Sequence, residues 1–364
     1  MKIQAIEIGT VQAPLRTPFR TALREVRMAE DIIIKLIADD GTIGYGGAPA
    51  TEILTGENLV SIAHAINHTF APRLLGMDIA NRVGILQTLH QAMAHNTSAK
   101  AALDIAVHDL FCKHYNLPLY RFFGGHAAKI HSDLTISVNA PEEMAADAQK
   151  AVTRGYSCLK IKVGTDAKLD VQRVRAVREA VGEDISLRLD ANQGWQPKEA
   201  VRMIRTLEDK GLHVELVEQP VKAWDIDGLK MVTDNVRTDI MADEAAFSPA
   251  DVLRLLSCHA CDLINVKLMK AGGLAAAQQI LSLAQAAGIG CMMGCMLESK
   301  VGITAAASLS AGSGAVIYND LDAAALMASD PVQGGIRYER DTLILPEEAG
   351  LGIRNIEGWR PFSA

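Results

Sequence analysis

SCLKIKV at residues 157–163, ISLRLD at 185–190, VELVEQ at 214–219, TDIMAD at 238–243, DLINVK at 262–267, GIGCMM at 288–293 and AVIYND at 315–320 are short apolar runs separated by amphipathic stretches. Short strands alternating with helices build right-handed βαβ units around a parallel sheet. Polar residues close the strands, at Lys162, Asp190, Glu218, Asp243, Lys267, Glu298 and Asp320, and they recur every 22 to 31 residues. A barrel of about 250 residues gives each of its eight units about 31. With LTIS (134–137) as the opening strand the count reaches eight. The pattern predicts an α/β fold, a (β/α)8-type TIM barrel over residues 126–325. No strand runs into GxGxxG, which argues against an open dinucleotide-binding sheet.

Upstream the texture differs. Residues 2–12 and 31–48 have strand-like patterning, with Asp39, Asp40 and Gly41 as a turn, and helical periodicity follows over 57–75, 80–94 and 98–115. Residues 1–125 therefore read as a separate α+β unit. The 364 residues are 49% hydrophobic and 22% charged, which excludes a disordered or fibrous chain. Thirty-six Lys and Arg against 43 Asp and Glu leave a charge of −7, the wrong sign for a nucleic-acid surface. No apolar stretch is long enough for a membrane span and the first residues lack a secretory h-region, so a cytoplasmic protein is expected. Six cysteines are too sparse for a disulfide framework, and Cys258 and Cys261 form one CxxC without a second pair, so zinc is not expected. AGGLAA (271–276) lacks the GK[ST] ending of a phosphate loop.

The strand ends of such a barrel form one mouth, where active sites are built. Three consecutive strands bring Asp190, Glu218 and Asp243 there. Three carboxylates without counter-charge repel, and a hard divalent cation with oxygen ligands, Mg2+, resolves the repulsion. Lys160 and Lys162 share one face of the strand before the acids, and Lys267 ends the strand after them. Two lysine-bearing strands bracketing three acidic ones suggest two bases facing across a substrate, with desolvation and the cation lowering a lysine pKa into a working range.

KIKVG, LDANQGW, VEQP, ADE, NVKLMKAGG and GCMLES, in that order, resemble the enolase superfamily and, within it, the muconate-lactonising subgroup and its dipeptide epimerases. The resemblance covers nearly the whole chain and implies that residues 326–364 complete the amino-terminal cap. It also implies abstraction of a proton α to a carboxylate through an enediolate, with one Mg2+ per subunit on Asp190, Glu218 and Asp243. Lys162 and Lys267 would then be the catalytic pair, with Lys160 an auxiliary cation. The mandelate-racemase type needs a late histidine base, but no His follows His259.

Asp320 and Asp322 in YNDLDA resemble the DxD that holds a dipeptide's ammonium in these epimerases. TPFRTALREVRMAE (17–30) resembles their specificity loop, which together with a segment near 50–57 faces the carboxyl-terminal side chain. Arg24 there implies an acidic side chain, with L-Ala-D/L-Glu as the expected pair and a cell-wall-derived dipeptide as its source. Thr135 and Cys295 match positions lining the dipeptide site, and Glu298 orients Lys267 or closes the polar network. Epimerases of hydrophobic or cationic dipeptides, and a muconate- or o-succinylbenzoate-type cycloisomerase or lyase, remain alternatives. Homo-oligomers are common in the family, so self-association is expected and nucleic-acid or membrane partners are not.

Overall fold

Leu134–Ile136, Cys158–Lys162, Ser186–Asp190, Val214–Glu218, Asp239–Ala242, Leu263–Lys267, Gly290–Gly294 and Val316–Asp320 lie side by side, all parallel and in chain order. The computed structural model, which describes residues 1–362, thus carries the expected eight-stranded barrel, with a helix behind each strand. The two ends of the sheet are stitched together by Asp133 N–H to the Asn319 carbonyl (3.1 Å), Leu321 N–H to Ser132 Oγ (2.8 Å) and Thr135 N–H to Asp322 Oδ2 (2.7 Å). Proline opens the helices Pro141–Thr153, Pro197–Asp209 and Pro249–Cys258, where its missing N–H costs nothing. Leu216, Met241, Leu263 and Met292 pack in the barrel interior with Tyr318 against them, and the buried Arg188 stacks on Tyr318, paired with Asp133 at 3.0 Å and Glu215 at 2.6 Å.

One strand end differs from expectation. The seventh strand stops at Gly294, and Glu298 lies four residues on, just before the helix Lys300–Ala311. The Asn265 side chain crosses from the sixth strand so closely that a Cβ at position 294 would collide with it, which is why glycine ends this strand.

The cap is an antiparallel sheet of Ile3–Arg20, Glu25–Ala38 and Ile43–Pro49. Its first strand extends well past residue 12, because Phe19 pairs with Val26 and Arg20 with Glu25. The expected specificity loop is therefore mostly a hairpin, and only residues 21–24 form its tip. The helix Thr97–His114 packs on this sheet and is buried nearly all round, with Lys100, Asp104, His108 and Asp109 among its buried residues. Gly46 admits it, since a Cβ there would strike the Ala102 carbonyl. The expected helix over 57–75 is Leu59–His64, a π-helical turn Ala65–Phe70 and Ala71–Leu74.

From residue 332 onward the chain spans both units. Thr342–Ile344 pairs with Lys129–His131, and Arg360–Pro361 adds to the cap sheet beside Gly9 and Thr10. Among the described residues no helix is long and apolar enough to cross a membrane.

Candidate active site

At the mouth, Asp190, Glu218 and Asp243 are fully buried at the ends of the third and fourth strands and just past the fifth. Lys160, also buried, lies between acids: its Nζ is 3.1 Å from Asp190 Oδ2, 2.7 Å from Glu218 Oε2 and 2.6 Å from Asp320 Oδ2. Lys162, on the same strand face, reaches Asp190 Oδ2 at 2.6 Å. From the sixth strand Lys267 reaches Asp243 Oδ2 at 2.7 Å and stands 3.9 Å from Glu218 Oε1. Strands two and six are diametrically opposite in a ring of eight, so the two lysines face one another across the mouth.

These acids set the lysine charges in a direction opposite to the expected one. Burial works to deprotonate Lys267, but Asp243 and Glu218 outweigh it and hold the ammonium well above its usual range. Burial is likewise outweighed at Lys160, by Asp320 and Glu218. Burial pushes Glu218 up to about 7, and Asp190 adds to it. At Asp190 itself the Lys162 and Lys160 ammoniums overcome burial and hold the carboxyl at about 2. Burial, with Asp243 beside it, raises Glu244 to about 8.

Among the described residues no three His, Cys, Asp or Glu side chains converge on one point as they stand, because the ammoniums lie between them. The donor set nonetheless fits a hard dication. Asp190, Glu218, Asp243, Glu244, Asp320 and Asp322 are six buried carboxyls facing four buried ammoniums, Lys160, Lys162, Lys267 and Lys270. Glu218 Oε2 and Asp243 Oδ1 touch Lys160 and Lys270 without an aligned hydrogen bond, and Glu244 Oε2 and Asn192 Oδ1 have no donor. Surplus oxygen and surplus negative charge in a dry site call for a cation.

Asp320 and Asp322 are buried and each has one oxygen committed: Asp320 Oδ2 to Lys160 and Asp322 Oδ2 to the Thr135 N–H. Lys160 keeps Asp320 ionised against burial, whereas burial and Asp320 push Asp322 up to about 6. Thr135, Cys295, Lys160, Lys162, Lys267, Asp320, Asp322 and Arg24 all line one cavity of about 60 Å³. The Cys295 thiol is pushed far up by burial and by Asp320, so it is an inert wall rather than a nucleophile.

Arg24 enters from the cap hairpin, half-buried. Arg20 and Arg27 are neutralised by Glu25, at 2.8 and 2.7 Å, whereas burial alone acts on Arg24. Glu298 stays out of the cavity lining. Its Oε1 accepts the Met296 N–H at 2.9 Å, and burial raises it to about 8 against the lowering by that hydrogen bond and by Lys267, so it braces the 295–299 loop.

Four neighbours escaped the sequence reading. Asn265 donates to Glu218 Oε1 at 2.8 Å, Lys270 meets Asp243 Oδ1 at 2.6 Å, and Gln219 Oε1 accepts the N–H groups of Asp243 and Ala245. Asn192, beside Glu244, accompanies them. A polar Asn265 two residues before Lys267, hence on the same inward face of an apolar strand, is the signal that could have found it.

A larger cleft of about 1100 Å³ lies between the cap helix Arg82–Gln91 and the barrel, around Trp224 and Phe247, and touches the mouth only from behind at Glu244 and Lys270. Cys258 is exposed and Cys261 buried, and both are free thiols. The N–H groups of Leu274 and Ala275 in AGGLAA are taken by Asp104, which leaves nothing there for a phosphate.

An acid-lined barrel mouth flanked by facing lysines and roofed by an α+β cap defines the class, and comparison with known proteins agrees. Residues 143–357 match the enolase C-terminal domain-like family, and residues 4–124 match the mandelate racemase / muconate lactonizing enzyme N-terminal domain. The chain belongs to this enolase-like family. It is 49% identical to the L-Ala-D/L-Glu epimerase of Clostridium acetobutylicum over 98% of this chain and 99% of that one. The substrate-liganded L-Ala-D/L-Glu epimerase of Bacillus subtilis superposes with a TM-score of 0.97 at 46% identity, covering 98% of this chain and 99% of that one. The dipeptide epimerase of Enterococcus faecalis, complexed with Mg and L-Leu-L-Tyr, gives 0.94 at 42% identity over 97% and 99%.

Proposed function

We propose that this chain is a Mg2+-dependent dipeptide epimerase that interconverts L-Ala-L-Glu and L-Ala-D-Glu. Its similarity over nearly the full length to epimerases of that name supports the reaction class. The observation that carries the acidic side chain is Arg24: a half-buried guanidinium in the cavity wall, with no acid paired to it among the described residues.

Each end of the cavity has a distinct chemistry. Asp320 and Asp322 present their uncommitted oxygens to the ammonium of the first residue. Thr135 keeps Asp322 in place through its backbone N–H. Arg24 meets the side-chain carboxylate of the second residue, a charge-assisted contact that a neutral side chain forgoes. Asp190, Glu218 and Asp243 would hold the Mg2+, which would supply positive charge beside the substrate carboxylate, where negative charge builds as the α-proton leaves. Lys160 adds a fixed ammonium on the same side.

Lys162 and Lys267 carry the proton. The neutral amine of one takes the α-hydrogen as the C–H bond breaks, and the ammonium of the other returns a proton to the opposite face, inverting the centre. Two lysines suffice for both directions, since after each turnover the protonated and neutral partners have exchanged roles. The acids beside Lys267 hold it protonated and so keep it ready to deliver.

The test is proton NMR in D2O with Mg2+ and L-Ala-L-Glu, L-Ala-L-Leu and L-Ala-L-Lys. Loss of the α-proton signal of the second residue with growth of a diastereomer, fastest for L-Ala-L-Glu, is expected. Fastest exchange on another dipeptide moves the specificity away from Arg24, and no exchange on any of them overturns the epimerase. A cytoplasmic location and self-association belong to the same proposal; the exposed Trp224 beside the large cleft supports the self-association, and a monomer by light scattering overturns it.

A further inference from the structure

The hairpin tip that carries Arg24 is bolted to the barrel through Arg20. Arg20 is the last paired residue of the first cap strand. Its N–H donates to Ser137 Oγ (3.1 Å) and its carbonyl accepts the Val138 N–H (3.1 Å). Its guanidinium donates through Nη1 to Asn139 Oδ1 and through Nε to Glu25 Oε2, both at 2.8 Å. Residues 137–139 directly follow the strand that carries Thr135, whose N–H is held by Asp322. Asn139 is anchored in turn, since Arg173 Nε donates to its carbonyl at 2.8 Å while Arg173 Nη1 is bound to Asp170 and Thr165. Beyond Arg20 the tip closes on itself: Thr21 N–H donates to the Arg24 carbonyl at 3.0 Å, and Thr21 Oγ1 accepts from Leu23 and Arg24.

Two clamps that belong to different sheets therefore share one bracket. The cap holds Arg24, the barrel holds Thr135 with Asp320 and Asp322, and the Arg20–Asn139 contact spans them. We propose that Arg20 and Asn139 are a positioning pair that fixes the spacing between Arg24 and the ammonium end of the cavity, and so sets the preference for an acidic second residue. This rests on the dipeptide-epimerase reading and on Arg24 facing the acidic side chain. The backbone bonds of Arg20 to Ser137 and Val138 survive loss of its side chain, so the seam persists while the aim of the tip is released.

The experiment measures kcat and KM for L-Ala-L-Glu and L-Ala-L-Ala with wild type, Arg24→Ala, Arg20→Met, Asn139→Leu and Asn139→Asp. Arg20→Met and Asn139→Leu are each expected to lower the Glu-over-Ala ratio of kcat/KM about tenfold, roughly the factor one charge-assisted hydrogen bond supplies. The loss falls in KM for L-Ala-L-Glu, and L-Ala-L-Ala stays within about twofold. Asn139→Asp keeps the acceptor oxygen and retains the ratio, and the Arg20→Met/Asn139→Leu double variant is no worse than either single one. A fall shared equally by both dipeptides, or an unchanged ratio, overturns the positioning role. If Arg24→Ala lowers the ratio but these variants do not, only the bracket fails; if Arg24→Ala leaves it unchanged, the reading of Arg24 fails with it.

Discussion

Lys162 and Lys267 differ in their surroundings although each is hydrogen-bonded to a single carboxylate: Lys162 borders Asp190 and the cap residue Phe19, whereas Lys267 stands near both Asp243 and Glu218. If the two serve opposite faces, replacing one leaves half of the chemistry. Lys162→Ala and Lys267→Ala are each expected to lower net epimerisation by about a thousandfold, the scale of lost general acid–base catalysis. Each should also abolish α-deuterium exchange from only one of the L-Ala-L-Glu and L-Ala-D-Glu diastereomers. NMR exchange on both diastereomers checks this, and loss of exchange from both in each variant refutes a division of labour. Arg24 carries the same lesson about single residues: four arginines crowd residues 16–27, and pairing with Glu25 takes Arg20 and Arg27 out of contention.

Between elements, cap and barrel are joined by buried carboxylates placed on the N–H groups of a neighbouring segment. Asp104 in the cap helix Thr97–His114 accepts from Leu274 (2.7 Å) and Ala275 (3.3 Å), the first turn of the barrel helix Leu274–Ala286. It thus caps a helix of the other unit. Gly273, at φ 118°, makes room for it, since a Cβ there would collide with the Asp104 side chain. Gly273→Ala should therefore cost about 3 kcal/mol or more, combining backbone strain with loss of this cap. Gly288→Ala, at φ 71° but facing open space, should cost only about 1 kcal/mol of strain. Denaturant midpoints of the two variants compare them, and equal losses would show that the Asp104 contact adds nothing.

Across the whole molecule, the second junction predicts a pH dependence. Asp31 of the cap accepts the Ser299 N–H at 2.7 Å just before the helix Lys300–Ala311, and its Oδ1 has no partner. Burial raises this carboxyl from 3.8 to about 6. The folded chain then binds more protons than the unfolded one, so stability is highest below pH 4 from this group and falls as pH rises through 6. The shift amounts to about 3 kcal/mol. Asp31→Asn keeps an acceptor for Ser299 and carries no charge. It should be matched to wild type near pH 4 and more stable above pH 6, read as a thermal midpoint difference that grows over that window. A difference independent of pH would locate the effect in packing rather than ionisation.

The chain's own pattern made legible the eight strands, their order and the acids and lysines at most of their ends, because a strand period of two residues and a unit repeat near 30 are local properties. It also determined the motifs whose resemblance implied the chemistry. Where long-range contact decides the outcome, the sequence was silent. It could not show that Phe19 and Val26 pair to extend the first cap strand, or that the Asn265 side chain demands glycine where the seventh strand ends, with Glu298 in the loop beyond. Nor could it show that Asp243 and Glu218 raise the Lys267 pKa instead of letting burial lower it. Only the tertiary structure brought Arg20 to Asn139, 119 residues apart in the chain, and left Arg24 without an acid. Such outcomes depend on which side chains meet after two independently patterned units dock, and no local pattern encodes that meeting.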